Sequence, residues 1–156
     1  MLNSIILFFA SFWIWVMYIF LILIWFRGKK ERKGQIIHAV IISFIAWGVA
    51  EMVKDILPTS LRPFQINGYP PLTLTIPFDS AFPSAHSTAA FGLAVAIFLH
   101  DKKIGFLYLL GALLVSLGRI FSNVHYPIDI LGGAVLGAFM ALITENIHFE
   151  KLLRSK

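Results

Sequence analysis

Apolar residues run through this chain in long blocks, and the polar residues gather in the gaps between them. Leu2 to Phe26 is nearly unbroken hydrophobic sequence and ends on Arg27. A second block, about Gln35 to Leu57, turns polar only in its last two turns, at Glu51, Lys54 and Asp55, and Pro58 stops it. Three more follow, about Ser84 to Leu99, Ile104 to Phe121 and Tyr126 to Ile147. Crossing a hydrocarbon core about 30 Å thick takes about 20 apolar residues in a helix. The pattern therefore predicts an all-α fold, a polytopic membrane helix bundle of about five transmembrane helices.

The gap from residue 58 to 83 is of another kind. Six of the seven prolines lie there (Pro58, Pro63, Pro70, Pro71, Pro77 and Pro83), with Asn67-Gly68 as a turn signal. A connection this long in so small a chain reads as a lid or binding loop. Its backbone cannot face lipid, so it belongs at the interface or over the bundle. Leu72 to Ile76 alternates apolar residues with threonine and predicts a short extended piece.

Composition agrees with the pattern: 58% of residues are hydrophobic and 13% charged, where a soluble domain carries roughly 25% charged residues. There is no cysteine, which excludes disulfides and thiolate metal sites. The first block lacks a basic leader and a small-residue cleavage site, so it reads as a retained transmembrane helix. Its aromatic residues read as lipid-facing or packing bulk. Helices three to five carry Ala85, Ala89, Ala90, Gly92, Gly105, Gly111, Gly118, Gly133 and Gly137. Such small residues let membrane helices approach closely, so these three read as the tightly packed core and the first helix as peripheral.

Charge then supplies a topology. Of 13 Lys and Arg, most cluster in three places: Arg27, Lys29, Lys30, Arg32 and Lys33 after the first helix, Lys102 and Lys103 in the middle turn, and Lys151, Arg154 and Lys156 in the tail. Placing all three on the cytoplasmic side satisfies the positive-inside rule. The N-terminus is then extracytoplasmic and the C-terminus cytoplasmic. Lys54, Arg62 and Arg119 fall on the opposite, extracytoplasmic side, where that rule does not put them.

At that same face the pattern collects Ser84 and His86, which begin helix three, and His125 and Asp129, which begin helix five. Arg presents a planar fork that matches phosphate oxygens and Lys a compact charge. The start of helix three offers free backbone N–H groups and a positive dipole end. His125 and Asp129 are four residues apart, so on one helix face the carboxylate orients one ring nitrogen. The other nitrogen is left as nucleophile or base. His86 is then placed to protonate a leaving oxygen. His38, His100 and His148 fall at the cytoplasmic helix ends and read as structural.

The order Lys54…Arg62-Pro63, then Pro83-Ser84-Ala85-His86, then Gly118-Arg119-x5-His125-x3-Asp129 resembles the type 2 phosphatidic acid phosphatase superfamily. The resemblance implies a metal-independent phosphatase working through a phosphohistidine, with no cofactor. In it His125 is the nucleophile, Asp129 its orienting carboxylate and His86 the general acid, while Lys54, Arg62, Ser84 and Arg119 bind phosphate. The chain departs from the family pattern in four ways. One extra residue separates Lys54 from Arg62-Pro63, Ala85 replaces a glycine, Gly118 replaces a serine, and five helices stand where six are usual.

The resemblance implies a lipid phosphate or diphosphate as substrate, held at the bilayer, and no nucleic acid partner. Undecaprenyl diphosphate is the first expectation, with phosphatidylglycerophosphate or phosphatidate as alternatives. A reading of another class is a non-catalytic lipid-phosphate binder or an anion-conducting bundle, which would need the cations but not His125 with its carboxylate. Residues 1–156 read as a single membrane domain. Within it, 1–34 form the peripheral first helix and basic cytoplasmic loop, 35–147 the catalytic helix bundle, and 148–156 a cytoplasmic tail.

Overall fold

The computed structural model describes residues 1–145, and all of its regular structure is helical. Helix α1 spans Leu2–Arg27 with a π-helical turn over Phe8–Phe12. It is followed by α2 (Lys30–Ile56), a short α3 (Pro63–Asn67), α4 (Ala85–His100), α5 (Lys102–Phe121) and α6 (Pro127–Thr144). Helices α1, α2, α5 and α6 are long and apolar enough to cross a membrane, and α4 is shorter. Large apolar side chains such as Phe20, Phe44, Phe106 and Phe139 stand exposed on the outer faces. The protein is a multi-pass membrane bundle.

Helix α4 is the hub. It carries no Asp, Glu, Lys or Arg, and most of its residues are buried, because α2, α5 and α6 surround it. Its small residues allow this. A β-carbon on Gly133 of α6 would lie 2.6 Å from the Ser84 carbonyl oxygen, and one on Gly137 would collide with that of Thr88. Backbone meets backbone there. On the α2 side, Ser43 Oγ donates to the Ala89 carbonyl at 2.7 Å and also meets Tyr18 Oη of α1 at 2.7 Å. One polar chain thus links three helices inside an apolar core.

Several expectations are corrected. Helix α2 begins at Lys30 rather than Gln35, since Lys, Glu and Arg are good helix formers and no proline interrupts them. Most of the basic cluster is therefore helical, and the link is only Gly28-Lys29. The tight core is not helices three to five alone: α5 and α6 lie on different sides of α4 and scarcely touch, while α2 packs on α4 as closely as they do. Leu72–Ile76 forms no strand, and no strand exists among the described residues to pair with it. The 58–83 loop instead contains α3, with Pro63 at its first position and Gly68 closing it in the left-handed conformation at φ 72°. His148 and the basic tail at Lys151, Arg154 and Lys156 lie outside the described residues.

The loop is tied down at its base. Phe64 N–H donates to Asn123 O at 3.1 Å, Leu72 N–H to Ser122 O at 2.9 Å, and the amides of Asn67 and Asn123 bond each other reciprocally. These bonds fasten residues 64–72 to the α5–α6 turn, next to the residues that turn carries.

Candidate active site

Each helix meeting at this end of the bundle presents one piece. Lys54 lies in the last turn of α2, Arg62 precedes α3, His86 sits in the first turn of α4, Arg119 in the last turn of α5, and His125 in the α5–α6 turn. All five line one cavity of about 260 Å³. Ser84 and Asp129 stand behind its wall. Asp129 heads α6, where its Oδ2 accepts from Tyr126 N–H at 2.8 Å and faces His125 Nδ1 at 3.4 Å. Ser84 N–H donates to the Asp129 carbonyl at 3.0 Å, fixing the start of α4 to the start of α6. Its Oγ is buried without a hydrogen-bond partner.

His125 therefore has a charged group on each side. Nδ1 points at a carboxylate, and Nε2 meets Arg62 Nη1 at 3.3 Å at the cavity wall. Burial, opposed by Asp129 and reinforced by Arg119 and Arg62, holds the imidazolium well below its ordinary pKa. The neutral ring is favoured, and its Nε2 lone pair accepts from Arg62 at the cavity wall.

Sequence reading brought the cations together but missed the loop carboxylate that balances two of them. Asp79, the sole carboxylate of the 58–83 loop, bridges Lys54 Nζ and Arg62 Nη2, the latter at 2.9 Å. Glu51 also takes Lys54 Nζ, at 3.0 Å. Arg62 is 1% exposed and saturated: its other donors go to the carbonyls of Asp79, Ser80 and Val124 and to His125. Burial alone would raise the Asp79 carboxyl, yet Lys54 and Arg62 hold it below the usual carboxylate range. A lowered carboxyl pKa keeps this pairing at any pH above that range and loses it only as pH falls through the folded value. Arg119 differs from the other two cations. It has no carboxylate partner among the described residues, its Nη1 donates to the Ala10 carbonyl at 3.2 Å, and its Nε has no partner.

Three further wall residues escaped sequence reading. Trp47 packs its ring against His86 with centroids 4.8 Å apart and donates Nε1 to Glu51 Oε1 at 3.1 Å. Trp47, Glu51 and Lys54 fall four and three residues apart, a helical stripe that could have been found. Ser11 and Trp15 of α1 also line the cavity, and Ser11 Oγ accepts from Leu74 N–H at 3.2 Å, tethering the loop. The first helix is thus part of the site rather than peripheral to it.

Gly118 now has a reason. A β-carbon there would sit 2.6 Å from the Ala10 nitrogen and 2.7 Å from the Phe9 carbonyl carbon, inside the π-helical turn of α1. The missing side chain lets α1 close on α5 and lets Arg119 reach Ala10. Gly118→Ser, which places a serine where the family pattern has one, is expected to lower stability by about 1–3 kcal/mol through overpacking. It should not raise activity. Thermal unfolding of the detergent-solubilised variant, followed beside its turnover, checks this.

Comparison with known proteins converges on one family. The PAP2 superfamily model matches residues 36–152. The chain is 30% identical over 159 residues to the undecaprenyl-diphosphatase BcrC of Bacillus subtilis (strain 168), covering 98% of this chain and 77% of that protein. It is 32% identical over 142 residues to the bacitracin transport permease protein BcrC of Bacillus licheniformis, covering 91% and 70%. Its fold is similar to the crystal structure of the first transmembrane PAP2 type phosphatidylglycerolphosphate phosphatase from Bacillus subtilis. That likeness has a TM-score of 0.69 at 21% identity and covers 99% of this chain and 80% of the other. Matched over most of its length by the family model, and by relatives over most of theirs, the chain belongs to the PAP2 superfamily.

Proposed function

We propose that the protein is a membrane lipid phosphatase that converts undecaprenyl diphosphate to undecaprenyl phosphate. The observation that carries the chemistry is His125, with one ring nitrogen facing a buried carboxylate and the other facing a cavity lined by Lys54, Arg62 and Arg119. The similarity to a protein named undecaprenyl-diphosphatase favours this substrate over phosphatidylglycerophosphate or phosphatidate. A binder or an anion pathway would need the cations alone, and gains nothing from an oriented imidazole.

In this reading His125 Nε2 attacks the terminal phosphorus and forms a P–N bond as the P–O bond to the lipid phosphate breaks. His86 gives its proton to the departing oxygen. Asp129 holds the Nδ1 proton and stabilises the positive charge that develops on the ring. Water then attacks the phosphohistidine, His86 takes its proton, the P–N bond breaks and inorganic phosphate leaves. Arg119 has donors to spare and takes phosphoryl oxygens directly. Lys54 and Arg62 join it once the substrate displaces Asp79. Ser84 acts from behind the wall, at the start of α4, where its buried hydroxyl has no partner among the described residues. No metal ion is required by these steps.

The reading is tested by phosphate release in detergent, with a chelator present, from undecaprenyl diphosphate, phosphatidylglycerophosphate and phosphatidate, compared by kcat/KM. The diphosphate is expected to lead. Strict dependence on added divalent metal would sink the mechanism, and a lead for either glycerolipid would sink the substrate assignment.

Two further expectations follow from the site and the charges. Asp79 occupies Lys54 and Arg62 as an internal anion, and ordinary pH does not release it, so phosphate must compete it away. Asp79→Asn is expected to tighten inhibition by orthovanadate by about tenfold, equivalent to about 1.4 kcal/mol. An unchanged inhibition constant would mean the latch does not oppose phosphate. The basic clusters also favour a C-terminus inside and a cavity outside. A C-terminal tag should accordingly stay inaccessible to impermeant reagents in intact cells.

A further inference from the structure

We propose that His38, His100 and Glu145 form a binding site for a divalent transition-metal ion, Zn²⁺ foremost, at the end of the bundle away from the phosphate cavity. The three residues come from α2, the end of α4 and the residue that follows α6, so their meeting is a product of the fold. One ligand atom from each lies within 4.8 Å of the others, and His100 Nε2 is 3.6 Å from Glu145 Oε2. Ligands bound tetrahedrally to zinc at about 2.0–2.2 Å are held roughly 3.3–3.5 Å apart. Small side-chain rotations therefore suffice.

A second observation points to a ligand. Among the described residues, none donates a hydrogen bond to Glu145 Oε2, which is shielded from solvent although the side chain as a whole is 32% exposed, and its distance to His100 is too long for one. A buried anionic oxygen in that state is costly unless a cation meets it. The His38 ring also hydrogen-bonds the backbone of Thr144, the kind of outer contact that fixes the orientation of a ligating imidazole. Among the described residues, the neighbouring cation Arg32 does not compete, since its Nη2 is paired with Asp101 at 3.1 Å. Two imidazoles and one carboxylate are a donor set that suits zinc.

The site is distant from the chemistry but shares its scaffold. His38 precedes Lys54 by sixteen residues on α2, and His100 follows His86 by fourteen on α4, so the two sites are about 21–24 Å apart along the helices. A bound ion would clamp α2, α4 and α6 at the end opposite the cavity. The proposal does not rest on the phosphatase reading.

The test uses the full chain without a histidine tag, purified in detergent and stripped with a chelator. Added Zn²⁺ is expected to bind at one ion per chain and to raise the unfolding temperature by about 5 °C at saturation. Co²⁺ should give the visible bands of a tetrahedral site. His100→Gln, at an exposed position, is expected to weaken binding by at least about 100-fold and erase those bands, and Glu145→Gln should do the same. His125→Gln should bind as the parent does. Absence of stoichiometric binding, retention of it in His100→Gln, or its loss in His125→Gln would each overturn the assignment.

Discussion

His125→Ala is expected to lower phosphate release from the lipid substrate by about 10⁴-fold or more, while the variant still folds. The expectation rests on what the ring does rather than on its position alone. Removing it deletes the only atom proposed to form a bond to phosphorus, and no neighbour on the cavity wall can replace it. Lys54 is engaged by Glu51 and Asp79, and His86 lies on α4 against Trp47, with its own proton to deliver. The fold should survive, because Arg62 loses one of five partners and the remaining contacts to Asp79, Ser80 and Val124 still hold it. Three measurements separate chemistry from collapse: turnover, thermal unfolding, and binding of orthovanadate. Steady-state turnover of a labelled diphosphate followed by alkaline denaturation should trap label on the parent chain and none on the variant. Near-normal turnover in His125→Ala would remove the nucleophile assignment.

Much of this site is legible in the amino-acid sequence, for a physical reason. Ionisable residues are expensive in membrane segments, so Lys54, Arg119, His125 and Asp129 stand out against apolar neighbours, and helix polarity alone brings them to one end. The helix ends are legible where proline marks them, as at Pro58, whereas the cap at Asp101, whose Oδ1 accepts the N–H groups of Lys103 and Ile104 at 3.1 Å, starts α5 two residues before the expected Ile104. What stays hidden depends on contacts between residues far apart in the chain. Asp79 meets Lys54 across 25 positions, and Ser11 meets Leu74 across 63. No periodicity announces such pairs. The role of α1 is hidden in the same way, since its aromatic residues read alike whether they face lipid or line a cavity. Gly118 reads as a lost hydroxyl in the motif, and only the approach of Ala10 shows it as a contact surface.

Gly137→Ala is expected to be among the most disruptive single-methyl changes in the bundle, costing stability and activity together. Gly137 has no room for a β-carbon, which would overlap the Thr88 carbonyl and lie 2.8 Å from the Gly92 nitrogen. Both are backbone atoms of α4, so no rotamer change can yield. The helices must separate, and α4 is already enclosed by α2 and α5 on its other faces. Overpacking of this kind costs about 1–3 kcal/mol or more. Gly48→Ala is the matched control: it lies inside α2 with nothing within 4 Å of its β-carbon position. There the alanine should be neutral or stabilise by about 0.5–1 kcal/mol through helix propensity. The activity loss in Gly137→Ala has a separate cause. The Ser84 N–H to Asp129 carbonyl bond ties α4 to α6 two turns above Gly137, so separating the helices moves His86 on one relative to His125 and Asp129 on the other. Displacements of about 1 Å in such constellations cost on the order of 10²-fold in rate. The drop should therefore appear in kcat at temperatures where the variant is still folded. If Gly137→Ala unfolded early but turned over normally below its transition, the α4–α6 contact would be a stability element alone.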